Sequence, residues 1–367
     1  MLTPDLLAER AALATLLLHG DDDPADRVAL RWLRPNDFRD PWHREVYWTI
    51  RDQANAGQRI DARTIGLRLL DRLGPTRADL TRVAALLRAT PPHAGPALYA
   101  HMVLDTAVRR EIAGLGVLLR AGALTASLQG SARPMHGVTA AVEARIADAE
   151  KRRQQAHQPA VDQGAVSAAG RPRSRRTDTL LAADRLLCAY PLPATSETAE
   201  READLVAALI LRPRALDPVR SWLRPDALAN SAWRGIYAAV LHLAHRGDAI
   251  DPVTVTWQAT RAPAPDGECA TPTQVLARVE AVLARDPGHL ARVVAADHLR
   301  LRAETAAAAL QSAAGDRTRD LPDVLAAARE QNAAVRDAAR PLAGPAPVRA
   351  VARPVAVTTA TRSLEAG

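Results

Sequence analysis

The sequence predicts an all-α protein: two similar small helical-bundle domains, each extended by an antiparallel helical hairpin, joined by a flexible linker. Three observations carry this. Hydrophobic residues make up 48% of the 367 positions but aromatics only 3%, so much of the apolar content is alanine and leucine, which favour helix. Leu, Val and Ile recur at three- and four-residue spacing in several long stretches. A segment of the chain is also repeated: Trp32-Leu33-Arg34-Pro35 returns as Trp222-Leu223-Arg224-Pro225, an offset of 190.

The repeat continues without a gap. Arg44 matches Arg234, Val46 matches Ile236, Tyr47 matches Tyr237, Gly57 matches Gly247, Ile60-Asp61 matches Ile250-Asp251, and Thr64 matches Thr254. In order along the first copy, Leu13, Leu16 and Leu17 share a helix face, as Leu205, Leu209 and Ile210 do in the second, behind Glu9 and Glu200. Asp40-Pro41 reads as an N-cap followed by proline in the first helical turn, where its missing N–H costs nothing. Val46, Tyr47 and Ile50 then line the buried side, and Gly57 and Gly247 suit a left-handed stop. Asp61 and Asp251 are placed to cap the next helix, with Pro252 in its first turn.

The hairpins follow. Val108, Ile112, Leu115 and Leu119 form one stripe, and Val138, Val142 and Ile146 a second after the breaker Gly130–Pro134. Leu299, Ala303, Ala306 and Leu310, then Leu321, Val324, Leu325 and Ala328, repeat the arrangement. These patterns set the expected boundaries: copy 1 at 1–153, an Arg/Pro/Gln-rich linker at 154–196 with a short helix near Leu180–Leu187, a diverged copy 2 at 197–338, and a disordered tail at 339–367.

Composition excludes several chemistries. Of 48 Lys+Arg, only Lys151 is a lysine, and it sits in Glu150-Lys151-Arg152. A P-loop needs a Gly-Lys-[Ser/Thr] step so that its lysine reaches the phosphates, so no Walker-type ATPase and no enzyme is expected. Cys188 and Cys269 are too few and too far apart for a disulfide framework or a zinc site. No 18-residue apolar run is present and Met1-Leu2-Thr3-Pro4-Asp5 opens no leader, so no membrane span is expected and the cytoplasm, with nucleoid association as an option, is the expected location. No cofactor is expected either. His242-x-x-His245 lacks the glutamate and spacing of a metalloprotease, Gly114-Leu115-Gly116 lacks the third glycine of a dinucleotide fingerprint, and Asp61 and Asp251 have a capping role. Trp32, Trp42, Trp222 and Trp233 read first as packing residues.

Charge is unevenly placed. Residues 151–186 carry eight basic and three acidic side chains and residues 339–367 four and one, so the net charge of +7 belongs to these segments and the rest is nearly neutral. Lys151, Arg152, Arg153, Arg171, Arg173, Arg175 and Arg176 are the candidate DNA-binding residues, of the kind that meets phosphates non-specifically, against a plain reading as solvated linker.

With these residues in view, a resemblance emerges. Glu9, Leu13 and Leu16-Leu17-Leu18, then Leu33-Arg34-Pro35-Asn36-Asp37-Phe38, Asp40-Pro41-Trp42-His43-Arg44 and Ile60-Asp61 resemble the N-terminal domain of DnaB-type replicative DNA helicases. The hairpin ending Ala141–Glu150 resembles the one that leads to that family's linker. The resemblance spans residues 5–152 and, more faintly, 198–337. Copy 2 departs from it: Leu228 stands at the place of Phe38, Asn230-Ser231-Ala232-Trp233 at that of Asp40-Pro41-Trp42-His43, and Ala262–Thr273 is rich in Pro and Ala. Where the family carries its ATPase motor, this chain carries a second N-terminal-like unit. The resemblance implies a non-catalytic collar module of DNA replication, with the replicative helicase or primase as partner, or with pairing of copies as a homo-oligomer or within one chain. It marks Phe38, Trp42, His43, Arg44, Trp233 and Arg234 as candidate partner-binding residues. The alternative is an Arg-rich, non-specific DNA-binding protein whose helical repeats oligomerise.

Overall fold

Alanine-rich stretches punctuated by Gly and Pro fold as helices that stop where the sequence stops them. The computed structural model describes residues 3–19, 29–88, 95–158, 175–261, 269–282 and 285–343. Among the described residues every regular element is a helix. The first head comprises α1 (Pro4–His19), α2 (Ala29–Trp32), α3 (Pro41–Asn55), α4 (Ala62–Leu73), α5 (Pro75–Ala78) and α6 (Leu80–Arg88). It leads into a hairpin of α7 (Pro96–Gln129) and α8 (Arg133–His157). After α9 (Arg175–Ala189) the second head comprises α10 (Thr195–Leu211), α11 (Leu216–Arg220), α12 (Ser231–Arg246), α13 (Pro252–Arg261) and α14 (Pro272–Ala281), and its hairpin is α15 (Pro287–Gly315) with α16 (Leu321–Ala339).

The cap expected at Asp40 is present, and Asn230 supplies one that the sequence reading did not assign. Asp40 accepts from the amides of Trp42 and His43, and Asn230 from those of Ala232 and Trp233, so α3 and α12 start in the same way despite different cap residues. Gly57 (φ +67°) and Gly247 (φ +74°) take the left-handed conformation that ends both helices. The buried hydroxyls of Tyr47 and Tyr237 donate to the carbonyls of Leu33 (3.1 Å) and Leu223 (3.0 Å), tying each α3-type helix to the Trp-Leu-Arg-Pro turn before it. Burial pushes both phenols well above the ordinary tyrosine range, so they stay neutral donors.

The two copies meet through their hairpins. α7 packs most extensively on α15, and α8 and α16 flank that pair. Val108, Ile112, Leu115 and Leu119 correspond to Leu299, Ala303, Ala306 and Leu310 at an offset of 191, and all eight are buried. The same offset equates Gly116 with Ala307, and these two residues touch: a Cβ on Gly116 would lie 2.9 Å from the Cα of Ala307. Contact between equivalent positions is the mark of a two-fold axis. Across this junction Arg120 pairs with Glu304 at 2.7 Å, the Asn332 amide donates to Thr139 O at 3.0 Å, and the Ala132 amide to Leu342 O at 3.2 Å.

Several boundaries differ from the sequence reading. α8 runs on to His157, the short helix expected at Leu180–Leu187 extends over Arg175–Ala189 and lies against α7, and of the described linker only Gln158 and residues 190–194 are non-helical. Residues 159–174 of the expected linker lie outside the described residues, as does most of the Pro/Ala-rich segment at 262–268. α16 reaches Ala339 and a 3₁₀ turn covers 340–343, anchored by buried Leu342, so of the expected tail only 344–367 remains, outside the described residues. α7 is long and apolar enough by length and composition to cross a membrane, although no uninterrupted apolar run was found. Its apolar faces are explained by the helices around it: α1, α8, α9, α15 and α16 all pack on it.

The N-terminal glutamate equivalence also needs correcting. Glu9 accepts from the amides of Arg39 and Asp40, and Glu202 accepts from those of Ala229 (2.7 Å) and Asn230 (2.9 Å). Glu202, and not Glu200, is therefore the counterpart of Glu9, and Glu200 is exposed on α10.

Candidate functional site

The family-like signature folds around Glu9. This carboxylate is buried, satisfies the two amides that open the turn before α3, and stands 2.8 Å from His43 Nδ1. Trp42 donates its indole N–H to Ala78 O at 3.1 Å, and Arg82 lies over its ring at 4.3 Å while reaching Asp40 at 3.2 Å. Arg44 donates to Phe38 O at 3.2 Å, and in copy 2 Arg234 donates to Leu228 O at 2.9 Å. Phe38, Trp42 and His43 are buried. The reading of these three as a partner-binding edge is thus corrected: their side chains build the head and leave almost no surface for a partner. Arg44, Trp233 and Arg234 are half-buried and serve the same turn, with Trp233 packed on the core where His43 stands in copy 1.

In copy 2, burial pushes the Glu202 carboxyl upward, its two backbone hydrogen bonds opposing only part of the effect. Asp297 is also pushed upward by burial, against the pull of Arg201 at 2.7 Å, and His298 is pushed downward by burial. The three line one cavity of about 240 Å³. In copy 1, Asp40 and Asp148 are held below the usual carboxylate range despite burial, Asp40 by neighbouring His43 and its backbone donors and Asp148 chiefly by Arg34 at 2.7 Å.

The candidate DNA-binding run is divided by its helix. Lys151 is exposed on α8 and Arg153 half-buried, but Arg152 points inward, 3% exposed, with Asp37 at 2.8 Å and Glu111 at 3.1 Å. Arg152 is removed from any phosphate-binding role: its charge is spent on these two carboxylates. Arg171 and Arg173 lie outside the described residues; Arg175 and Arg176 open α9, and their side chains are not among those described.

Two features were missed in the sequence. Leu67 on α4 and Trp257 on α13 are related by the repeat offset, and both are exposed, by 56% and 66%. An apolar side chain held outward at the same place in both copies is a better candidate contact than the buried signature. Periodicity could have found it, since both lie off the buried faces of their helices. The second is a groove of about 590 Å³ at the junction of the copies, where Arg39, Arg109 and Arg110 face Gln311 and Arg317. Its residues come from distant parts of the chain, so no local motif announces it.

Comparison with known proteins gives one family. The model for the DnaB-like helicase N terminal domain matches residues 2–105 and again 194–281, that is, each head and the first part of α7. The rest of both hairpins lies beyond the matched residues. No solved structure matches the chain.

Proposed function

Since the chain belongs to the DnaB-like helicase N-terminal domain family, carrying its domain twice, we propose that it is a non-catalytic interaction module of DNA replication that docks on the replicative helicase or on primase in the cytoplasm. The observation that carries this reading is the tandem family match, with the two heads joined through α7 and α15 as a pair within one chain. A module of this kind presents a surface and performs no chemistry, and the signature residues fit that: their polar atoms are consumed in caps and turns. Leu67 and Trp257 are the side chains we assign to the partner surface.

The test is retention of purified replicative helicase and primase on the immobilised full chain at moderate salt. Retention of either supports the reading, and Trp257→Ala should weaken it while leaving thermal stability unchanged, because that side chain is two-thirds exposed. Loss of both partners at moderate salt, or ATP hydrolysis by the purified protein, would sink it. The DNA-binding alternative loses Arg152 and rests on the remaining basic residues; a salt titration with duplex DNA, repeated after replacing Arg171, Arg173, Arg175 and Arg176 by Gln, decides it.

A further inference from the structure

The internal repeat maps the groove in copy 1 onto one in copy 2 that the chain fills itself. Along α7 and α15 the offset of 191 carries Thr106 to Asp297, Arg109 to Arg300, Arg110 to Leu301 and Ala113 to Glu304, and in the opposite direction Gln311 to Arg120. The residues reached in this way line two smaller cavities, of about 240 and 260 Å³, and Leu192 lines both. What separates them is the end of α9 and the non-helical stretch 190–193. Arg300 donates to the carbonyls of Tyr190 (2.9 Å) and Pro191 (2.6 Å), fixing that stretch by its main chain. In copy 1 the single groove of about 590 Å³ is lined by its own walls alone among the described residues.

The walls differ in charge. In copy 2 Glu304 is matched by Arg120 and Asp297 by Arg201. In copy 1 those carboxylates are replaced by Ala113 and Thr106, while Arg39 and Arg110 stand where copy 2 has Ala229 and Leu301. Arg39 is exposed. Arg110 donates to the main-chain carbonyls of Asn36 and Asp37, and the nearby carboxylates of Glu9 and Asp37 are committed to the turn before α3 and to Arg152. Asp5, the acid of this groove, pairs with Arg317 at its end. The occupied groove is charge-balanced around an apolar strap; in the other, Arg109 is taken up by Asp105 and by the carbonyls of Asp316 and Arg319, and exposed Arg39 and Arg110 add positive charge at its rim.

We propose that the copy 1 groove binds an acidic, extended segment of a partner protein, laid across α7 as residues 190–193 are laid across α15, with Arg39 and Arg110 meeting its carboxylates. The proposal rests on the interaction-module reading and names the chemistry of the partner segment. A polypeptide is favoured over nucleic acid because the matching groove already holds polypeptide through its carbonyls.

The probe is a fluorescein-labelled synthetic peptide of residues 184–195 with Cys188→Ser, Ala189→Glu and Leu192→Glu. The control is the same peptide with only Cys188→Ser. Anisotropy titrations into the full chain should give at least about tenfold tighter binding of the acidic peptide. Arg39→Glu should lower that affinity about tenfold, Arg39→Lys should keep most of it, and Arg336→Glu on α16 should leave it unchanged. Equal binding of both peptides, or indifference to Arg39→Glu, overturns the proposal, as does an oligothymidine that displaces the peptide and binds more tightly. If helicase or primase is retained equally by the wild type and Arg39→Glu, the groove is refuted while the module reading stands; if neither protein is retained by the wild type, it is the module reading that fails.

Discussion

Arg152 serves buried Asp37 and half-buried Glu111 from one guanidinium, with Asp148 further off at 3.6 Å. Removing Arg152 takes from Asp37 and Glu111 the cation that bridges them and leaves more distant Arg34 to offset their charge, so Arg152→Ala should cost about 3 kcal/mol in urea unfolding, and Arg152→Lys should recover only part because a point charge cannot bridge both acids. Asp148 gives a pH test. Its folded carboxyl is held below 3.8 by Arg34, so its contribution is present above that value and is lost as pH falls through the depressed value. The stability gap between wild type and Asp148→Asn should therefore close between about pH 5 and the acid limit; the pair is two-fifths exposed, so the gap at neutral pH is at most about 1 kcal/mol. Glu202 and Asp297 work in the opposite sense: their raised carboxyls favour the folded state at low pH and lose that contribution as pH rises through them. Charge alone makes Lys151-Arg152-Arg153 a candidate DNA-binding run or a solvated linker, and neither reading holds for Arg152. Arg152 follows Ala149 by three residues and Ile146 by six, on the buried face of α8, and that register was legible.

Helices carry the next set of predictions. Gly116 lets α7 approach α15 to backbone contact, so Gly116→Leu should cost about 1–3 kcal/mol through overpacking. Gly137, exposed within α8 with open space around it, is the opposite case: Gly137→Ala should raise stability by about 0.5–1 kcal/mol. Thermal unfolding of the two variants separates the effects. The stripes at Val108–Leu119 and Leu299–Leu310, the caps at Asp40 and Asp61 and the stops at Gly57 and Gly247 were all readable, because each depends on local pattern. The Glu9–Glu202 equivalence was not. Its offset is 193 and the turn's is 190, and only the hydrogen bonds to residues 39–40 and 229–230 reveal which of two neighbouring glutamates does the work. Gly116 of Gly114-Leu115-Gly116 lies within α7, and its packing role depends on a helix almost two hundred residues away.

At the scale of the whole molecule, the duplication and the two family domains were legible from the repeat, while the way the copies meet was not, since alanine faces match many partners equally well. The face of α7 that meets α15 should seek a substitute when copy 2 is absent. A chain ending after residue 158 is predicted to self-associate, giving twice its monomer mass in sizing coupled to light scattering, whereas a monodisperse monomer would show that the α7 face is stable in water. The approximate two-fold that runs through Gly116 and Ala307 has a genetic consequence. In an assembly of identical chains every mutation is made twice, and a change that helps one half must be tolerated by the other. Here each half has its own codons. One side of the crossing can stay a glycine while the other carries a methyl, and Arg39 can persist although its counterpart is a neutral Ala229. The halves are free to diverge one residue at a time without giving up the pairing that holds them.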